Sequence, residues 1–467
     1  MLKLFRSYKQ QYKLNLKLAL PVVLTQLGQI LTQFVDNVMV GQYGGDDPTP
    51  LAATSFGGAV FFILFIASIG VALGMTPLVG ELFTQNRHKE SATLLQNGIL
   101  FYTLLGLVMS AVQYAAIPLM AYMGQPEEVV EMAIPYYKML VYSLPFIMLF
   151  FSFKQFLEGV GNTKAETVVT ILSNISNCFF NWVFIYGNLG MPVMGVEGAG
   201  LGTLLARVVS PVAVITYFLV SKRFRAYLKE FRWGDFSWST ITRLLKMGLP
   251  ISFQMFLEAS AFVGTSIMMG WLGTQAISAN QIAGTLGNCS FMIILSLGAA
   301  TTIRISHAYG RRDIDEVALA GKASYHLVLM WCAICAVMYI SLRHFIPLMF
   351  TSNAEVIAIA SDLMFFIAMY QLSDGLQNAS VSILRGLQDV KIIMPIAFLS
   401  YWVLNLPVGY FFGFVLNMGP SGLFLGFTFG LSSAALMMLI RIRRRMRKLR
   451  AMQAVGEFLK ADAIPSK

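Results

Sequence analysis

Long apolar segments constrain the fold of this chain more than any other feature of its sequence. They recur along nearly its whole length, and each is at least about as long as the ~20 residues that an α-helix needs to cross a membrane. Of the 467 residues, 57% are hydrophobic and only 12% are charged, which excludes an ordinary soluble domain. The sequence therefore predicts an all-α membrane protein with twelve transmembrane helices. The predicted spans are 14–40, 52–83, 95–123, 134–160, 164–186, 198–220, 245–272, 277–309, 318–350, 356–385, 391–415 and 420–441.

Charges between the spans predict the orientation of the chain. Basic residues fill the N-terminal segment and the even-numbered loops, above all the sixth, SKRFRAYLKEFRWGDFSWSTITRLLK, whereas the odd-numbered loops are acidic. Because Lys and Arg accumulate in cytoplasmic loops, we expect both termini in the cytoplasm. The net charge of +11 is not a nucleic-acid signal, since the densest basic segment, RIRRRMRKLR at 441–450, is typical of a helix end on anionic lipid.

The chain also repeats itself. ALPVVLTQLGQILTQFVDNVMVG at 19–41 resembles GLPISFQMFLEASAFVGTSIMMG at 248–270, and three shorter pairs follow in the same order, each pair 224 to 229 residues apart. This predicts two pseudo-symmetric six-helix bundles. Since six is even, both would enter the membrane from the same side, with a cleft between them. The predicted parts are an N-terminal lobe at 1–220, a cytoplasmic linker at 221–244, a C-terminal lobe at 245–441 and a basic tail at 442–467.

Two acidic residues lie deep in spans of the C-terminal lobe. Glu258 in span 7 and Asp374 in span 10 are twelve and eleven residues from the basic ends of their spans, hence about 16–18 Å into the membrane. A charge at a helix centre costs ~2.5–3.5 kcal/mol on insertion scales, so intramembrane acids are candidate functional residues. If spans 7 and 10 are neighbours, the two carboxylates would share one site. Protons or a hard cation such as Na⁺ would then neutralise it.

Aromatic residues accompany both acids. Phe262 follows Glu258 by one helical turn, and Tyr370 precedes Asp374 by one turn. The ring face of Phe262 suits an organic cation, and the Tyr370 oxygen could share a cation with Asp374. Structural alternatives stay open: Glu258 could be a protonated or ion-paired glutamate that serves only the fold, and the Tyr–Asp pair could merely pack helices.

The N-terminal lobe carries one comparable acid, Asp36, in the segment LTQFVDNVMVG. In span 5, Asn174, Asn177 and Asn181 form a polar stripe on one helix face, and Thr203 in span 6 adds a hydroxyl group. We expect this stripe beside the acid, although asparagines can also simply link helices in lipid. The repeat aligns this acid with a threonine in the other lobe, so we expect the two lobes to have different roles.

No motif in the sequence indicates phosphate binding, redox chemistry or a metal site. The segment GVGNTK lacks the Walker pattern of a phosphate-binding loop. Cys332 and Cys335 form a C-x-x-C inside an apolar segment with no second pair, which favours buried small side chains over a redox or zinc site. The histidines show no metal-ligand spacing. We therefore expect no enzyme and no cofactor apart from a coupling ion.

Several motifs resemble the NorM branch of the multidrug and toxic compound extrusion (MATE) family. They are FVDNVMVG, FNWVFIYG, the E-x-x-x-F of span 7, Tyr370-x-x-x-Asp374, and SILRGLQDVK followed by SYWVLNLPVGY. The similarity extends over essentially the whole chain. It implies a twelve-helix, two-lobed antiporter that exports small, amphipathic, mostly cationic compounds in exchange for Na⁺ or H⁺. The segment QYGGDDPTPLAA departs from the family pattern, because this first loop looks longer and more acidic than usual.

The resemblance also implies roles for individual residues. The coupling cation, and Na⁺ if that is the ion, would bind to Glu258, Asp374 and Tyr370. The N-terminal cation site would comprise Asp36, Asn177, Asn181 and Thr203. The substrate would contact Phe262, Gln281, Asp36, Glu258 and Asp374, where Gln281 in span 8 matches a position near the drug site. We expect a monomer whose only other partner is membrane lipid.

A flippase for lipid-linked precursors, with a related two-lobed fold, is the alternative. Such a protein needs cationic side chains in its cavity to bind a pyrophosphate, whereas acids occupy the mid-membrane positions here. Arg207 and Lys154 are the ambiguous bases. A membrane enzyme would need a nucleophile or a metal cluster, and a channel would normally be assembled from several subunits.

Overall fold

The computed structural model describes residues 2–232, 234 and 236–454. These residues are almost entirely helical, and twelve helices among them are long and apolar enough to cross a membrane, which confirms the predicted number of spans. The helices are α1 (Leu2–Gly44), α2 (Thr49–Thr84), α3 (His88–Ala115), α4 (Glu127–Gly159), α5 (Thr163–Tyr186), α6 (Gly195–Val220), α7 (Trp238–Trp271), α8 (Thr274–Gly310), α9 (Ile314–Leu342), α10 (Ala354–Gly386), α11 (Ile393–Val415) and α12 (Gly419–Ala454). Short helical segments connect some of them, at Ile117–Tyr122, Asn188–Gly190, Lys222–Phe224, Arg225–Lys229 and Pro347–Met349.

Two spanning helices are irregular. Helix α2 consists of Thr49–Ala72 and Met75–Thr84, with a turn between them. Helix α11 alternates between α-helix and the wider π-helix, and its first π-helical segment, Phe398–Asn405, ends just before Pro407. Proline lacks the N–H that an α-helix needs, and its ring clashes with the preceding turn. We attribute the wider turns before Pro407 to this clash. Such turns are frequently found at functional sites.

Several helix ends differ from the predicted boundaries. Helix α3 ends at Ala115, short of the predicted residue 123, because Pro118 interrupts the α-helical pattern and a 3₁₀ segment follows. Helix α12 continues to Ala454, well past the predicted end at 441, since Arg and Lys are good helix formers and Ile442 and Leu449 are buried on one side. Of the predicted basic tail, 442–454 are therefore helical, and 455–467 lie outside the described residues. Residues 233 and 235 of the predicted linker also lie outside them.

The first loop is short in the structure. Helix α1 ends at Gly44 and α2 begins at Thr49, so only 45–48 separate them. In this loop the backbone N–H of Thr49 donates to Asp47 Oδ1 at 2.9 Å. Hydrogen bonds from the Thr49 side chain and backbone lower the pKa of Asp47, which is fully exposed. The acidic loop therefore carries its negative charge in a compact turn.

The described chain forms two compact units. One unit is Pro21–Ser252, and the other combines the chain before Pro21 with Phe253 and the residues after it. Both dividing points fall inside helices, α1 and α7, next to Pro21 and Pro250, which are equivalent in the sequence repeat. Because an internal proline removes one hydrogen bond and kinks a helix, these are the points at which each helix most easily changes direction.

Each unit has the same pattern of neighbouring helices. In the unit Pro21–Ser252, α4 packs on α2, α3 and α6, and α6 also packs on α5. In the other unit, α10 packs on α8, α9 and α12, and α12 also packs on α11. Left-handed turn residues recur at the spacing of the sequence repeat, as the pairs Gly45 and Gly273, Asn86 and Arg312, Gly161 and Gln388, and Gly195 and Gly419. The prediction of two pseudo-symmetric six-helix halves is confirmed.

Candidate functional site

An acidic site in the unit Pro21–Ser252 is centred on Asp36 of α1. Asn181 of α5 donates an N–H to Asp36 Oδ1 at 2.7 Å. In the amide orientation that satisfies its neighbours, Asn177 donates to both Asp36 oxygens, at 2.8 and 3.2 Å, and accepts the hydroxyl of Thr203 at 3.3 Å. Both asparagines are buried. The structure thus brings together all four residues that the sequence predicted for this site.

Close packing of α5 against α6 positions these amides. Gly202 of α6 lies directly against Asn181, so a β-carbon at this glycine would collide with the asparagine side chain. The third residue of the predicted stripe, Asn174, lies elsewhere: its buried amide nitrogen has no hydrogen-bond partner in the described chain and faces Gly28 of α1. Only two of the three asparagines therefore belong to the site.

Arg207 of α6, an ambiguous base in the sequence, lies in the surroundings of Asp36. It donates to Ser143 Oγ at 2.7 Å. The centre of its guanidinium group is 5.0 Å from the ring centroid of Phe61 and 5.5 Å from that of Phe65. It interacts electrostatically with Asp36, yet forms no ion pair with a carboxylate of the described residues. A base thus shares the environment of the acid without pairing with it.

Lys154 of α4, the other ambiguous base, is ion-paired. Its Nζ lies 2.9 Å from Glu166 Oε1 and 3.9 Å from Glu158 Oε1. Thr76 Oγ1 approaches the other Glu158 oxygen at 3.4 Å. Because two carboxylates surround it, Lys154 is not a free cation for an anionic ligand.

A second acidic site lies in the unit that contains Phe253 and the later residues. Glu258 of α7 and Asp374 of α10 are close enough to interact electrostatically, and Tyr370 interacts with Asp374 in the same way. Asp374 and Tyr370 are each 9% exposed, whereas Glu258 is half-buried. The structure therefore brings together the three residues that the sequence predicted for the coupling cation.

A glutamine connects Glu258 to an arginine. Gln254 Nε2 donates to Glu258 Oε2 at 2.6 Å, and Gln254 Oε1 accepts from Arg385 at 2.8 Å. Arg385 interacts electrostatically with the acid but makes no direct ion pair with it in the described residues. The contact of Gln254 with Glu258 and Arg385 was not predicted from the sequence. The contact between Gln254 and Glu258 could have been predicted, because Gln254 lies one helical turn before Glu258 on the same helix face.

Tyr401 is a further residue of this site that the sequence did not predict. It comes from the π-helical part of α11, is fully buried and lies within reach of both Glu258 and Asp374. Its hydroxyl group makes no well-formed hydrogen bond with the described residues. The segment SYWVLNLPVGY was recognised for its resemblance, but nothing in it singled out this tyrosine as a polar group for the site.

Aromatic rings extend from the acids towards the surface of the unit. Phe262, which is 40% exposed, stacks on Phe427 with ring centroids 4.5 Å apart. The centroid of Phe427 is 5.8 Å from that of Tyr370. Phe262 is thus joined to the acidic site through one intervening ring. Gln281 of α8, predicted near the substrate, is exposed and stands apart from the hydrogen bonds around Glu258.

The oxygen atoms at this site suit protons or a hard monovalent cation. Two carboxylates and two phenol groups are oxygen ligands, which hard cations prefer. The Tyr401 hydroxyl, which lies within reach of Glu258, adds a further oxygen to this set. Across the residues that the structure describes, no group of three or more His, Cys, Asp or Glu side chains is placed to hold a metal ion.

Comparison with known proteins agrees with this architecture. The family model MatE matches twice, at residues 21–183 and 250–411, once in each half of the repeat. The chain is 32% identical over 442 residues to the multidrug resistance protein NorM of Photobacterium profundum, covering 94% of this chain and 96% of that protein. It is 30% identical over 449 residues to the probable multidrug resistance protein NorM of Idiomarina loihiensis, covering 94% and 96%.

Solved structures have the same fold. An outward-facing MATE family transporter superposes with a TM-score of 0.85 at 21% identity, covering 94% of this chain and 97% of that one. The Vibrio cholerae MATE transporter VcmN, in a mutant form, superposes with a TM-score of 0.85 at 18% identity, covering 95% and 98%. The duplicated twelve-helix fold with intramembrane acids thus defines a multi-pass membrane transporter. The chain belongs to the MATE family of multidrug efflux transporters, and its predicted resemblance to the NorM branch is confirmed.

Proposed function

We propose that this transporter is an antiporter that exports amphipathic, mostly cationic compounds in exchange for Na⁺ or H⁺. The observation that carries this proposal is the shared site of Glu258 and Asp374, two intramembrane acids with no direct ion pair to a base among the described residues. Uncompensated acids at this depth are costly to the fold, so a cationic ligand is the natural reason for their presence.

Competition for the same negative charge couples the two transported species. When Glu258 and Asp374 are both ionised, they repel each other in a medium of low dielectric constant, and any positive species is attracted to the pair. Loading with the coupling ion neutralises the site and weakens its hold on a cationic substrate. The reverse also holds, because such coupling is reciprocal. Movement of one lobe relative to the other then alternates access, and the membrane potential adds ~2.3 kcal/mol per charge per 100 mV.

Gln254 keeps the acid available for this exchange. A direct pair between Arg385 and Glu258 would neutralise the carboxylate permanently. The intervening amide instead holds the carboxylate at 2.6 Å and the guanidinium at 2.8 Å, so the charge is stabilised but not cancelled. The half-exposed ring of Phe262 offers a face to the cationic part of the substrate, a contact worth roughly 0.5–2 kcal/mol.

Asp36 forms the cation site of the other unit. Asn177 and Asn181 donate N–H groups to its carboxylate and so replace part of the hydration that the membrane removes. The hydroxyl of Thr203 fixes one of these amides. The acid therefore keeps a defined orientation while its half-buried side chain stays open to a cation.

The protein acts as a monomer in the bacterial inner membrane, with both termini in the cytoplasm. Its cofactor is the coupling ion alone, and nucleic acid is not a partner. Arg443 and Arg444, near the start of the basic extension of α12, are exposed and suit the anionic lipid of the cytoplasmic face.

Transport by purified protein in lipid vesicles tests the proposal. Vesicles are loaded with a fluorescent cationic dye, and Na⁺ and pH gradients are imposed separately. The gradient of the coupling ion, Na⁺ or H⁺, should drive dye movement in the wild type, and Glu258→Gln and Asp374→Asn should each abolish it. Glu355→Gln, an exposed acid outside the site, is the matched control and should transport normally. Intact gradient-driven movement in both site variants would refute the antiport mechanism.

A further inference from the structure

A buried pair of glutamates near the junction of α4 and α5 has no part in the exchange described so far. Glu158 of α4 is 5% exposed, and Glu166 of α5 is fully buried. Their carboxylates lie within hydrogen-bonding reach of each other. Among the described residues, Lys154 is the one cation that pairs with them, with its Nζ 2.9 Å from Glu166 and 3.9 Å from Glu158. Two carboxylates beside one ammonium group leave an excess negative charge, which is costly at a buried position.

The other groups around the pair do not supply the missing positive charge. Thr76 of α2 contributes a hydroxyl group 3.4 Å from Glu158. Arg223, on the connection between α6 and α7, donates instead to a backbone oxygen at 3.1 Å. His88 of α3 packs against a tyrosine ring, and Lys164 of α5 is exposed. Within the described part of the chain, a small mobile cation is therefore left to balance the charge.

A proton suits this position better than a metal cation. It can be shared between two carboxylate oxygens, which removes the repulsion between them. A sodium ion would instead lie beside the ammonium group of Lys154, in a region of low dielectric constant where two positive charges repel each other strongly. The pair is thus a candidate proton site.

One face of α5 joins this pair to the Asp36 site. Six polar side chains recur at every third or fourth position of the helix and so lie on one side of it. They are Thr163, Thr167, Thr170, Asn174, Asn177 and Asn181. Glu166 lies at the edge of this face, and about 22 Å of helix separates it from Asn181, which contacts Asp36. The polar face therefore extends from the buried glutamates to the other acid of this unit.

Helix α1 covers part of this face and leaves two of its polar atoms without partners. Thr167 donates to the backbone oxygen of Pro21 at 2.8 Å and accepts from Thr25 at 3.1 Å. The buried hydroxyl oxygen of Thr170 and the buried amide nitrogen of Asn174 have no hydrogen-bond partner in the described chain. Buried polar groups of this kind are usually satisfied by ordered water, so we expect a file of water molecules along the face.

We propose that Glu158 and Glu166 share a proton that reaches them from Asp36 along the polar face of α5. The Asp36 carboxyl group releases the proton to the water file, and the pair takes it up. The pair and Lys154 are then neutral together. The proton leaves to water at the end of α5 that the proposed orientation places in the cytoplasm, and one negative charge returns to the pair. This inference rests on the proposed antiport, and it assigns H⁺ to the exchange in this unit.

Removing a hydroxyl group that has no partner tests the path. Thr170→Val should leave the thermal midpoint and the affinity for a cationic dye unchanged, because no hydrogen bond within the protein is lost. The rate of dye movement driven by a pH gradient across lipid vesicles should fall by about ten- to a hundredfold, since the water file loses a ligand. Asn174→Leu should behave in the same way. Thr216→Val, at an exposed position of α6, is the matched control and should transport normally.

Infrared spectroscopy of the purified protein tests the shared proton. At neutral pH the pair should contribute one band of a protonated carboxyl group in the wild type. Glu158→Gln and Glu166→Gln should each remove this band, because Lys154 neutralises the single carboxylate that is left. Glu355→Gln, at an exposed position, should keep it. A band that persists in both pair variants would overturn the inference.

Other results would overturn the inference and leave the antiport in place. One is dye movement that responds to a Na⁺ gradient alone. Another is normal pH-driven movement in both Thr170→Val and Asn174→Leu. A loss of dye affinity as large as the loss of rate would also overturn it, because these residues would then hold the substrate. If neither gradient drives dye movement in the wild type, the proposed function itself fails.

Discussion

Gln254 donates a side-chain N–H to Glu258 at 2.6 Å, and this bond positions a carboxylate that also interacts electrostatically with Arg385 of the same unit. The other end of the amide accepts from Arg385 at 2.8 Å. A neutral side chain therefore separates two opposite charges that would otherwise meet. The acid is left with affinity for a mobile cation, which a permanent ion pair would remove.

Removing this amide should weaken cation binding. In Gln254→Leu, Glu258 loses a hydrogen bond to a charged group and can collapse towards Arg385, so affinity for the coupling ion should drop by about tenfold. The measurement is the Na⁺ concentration, or the pH jump, that displaces a bound cationic dye. Gln453→Leu, on the exposed end of α12, is the control. Unaltered displacement in Gln254→Leu would show that the amide does not set the affinity of the acid.

Tyr401→Phe should separate binding from stability. The Tyr401 hydroxyl is buried without a well-formed hydrogen bond, so its removal should leave the thermal midpoint unchanged or slightly higher. Cation affinity should fall by roughly three- to tenfold, since one oxygen ligand near both acids is lost. Thermal unfolding and dye displacement by Na⁺ measure the two effects. A large loss of stability with unchanged affinity would assign the hydroxyl a structural role instead.

Asn181 and Asn174 provide a comparison on one helix. Asn181 donates to Asp36 at 2.7 Å, whereas the amide nitrogen of Asn174 is buried without a partner. Asn181→Leu should therefore destabilise the protein by about 1–3 kcal/mol at neutral pH and weaken substrate binding. Asn174→Leu should be neutral or stabilising. Unfolding of both variants in detergent measures this difference in stability. Equal changes in stability would mean that the hydrogen bond to Asp36 does not stabilise the protein.

Gly202→Ala should disturb the Asp36 site by packing alone. A β-carbon at this position would collide with Asn181, so the approach of α5 to α6 must change, at a cost of about 1–3 kcal/mol. Gly58→Ala in α2 is the control, because its β-carbon would meet nothing within 4 Å. The expected result is a lower thermal midpoint and weaker dye binding for Gly202→Ala only. If Gly58→Ala lowered the thermal midpoint and dye binding as much as Gly202→Ala, this result would contradict the packing argument.

Much of the fold was predictable because membrane helices follow simple rules of length, hydropathy and charge. The internal repeat also survives in sequence, so the two six-helix halves could be derived without coordinates. Asn177 and Asn181 could be predicted because they lie at helical spacing on one helix, and the family resemblance grouped them with Asp36 and Thr203. The extent of the last helix was missed, since a run of arginines predicts the end of a span but not the end of a helix.

The missed parts of the second site have a common physical cause. Tyr401 comes from a π-helical turn, so the regular period of an α-helix does not predict which way it points. Arg385 was assigned to a span end because of its charge, and its hydrogen bond to Gln254 joins α10 to α7, residues far apart in the sequence. The position of the Arg207 guanidinium group depends on two rings and a hydroxyl group from other helices, which no local sequence pattern reveals.

The π-helical turns of α11 allow side chains of this helix to rotate without a movement of the whole helix. In an α-helix each residue advances about 100° around the helix axis. If the extra residue of a π turn moved to another position in the helix, the side chains between the old and the new position would rotate by about that angle. Tyr401 sits in such a segment, Phe398–Asn405. A small migration of the distortion would thus swing its phenol towards or away from Glu258 while both ends of the helix stay anchored.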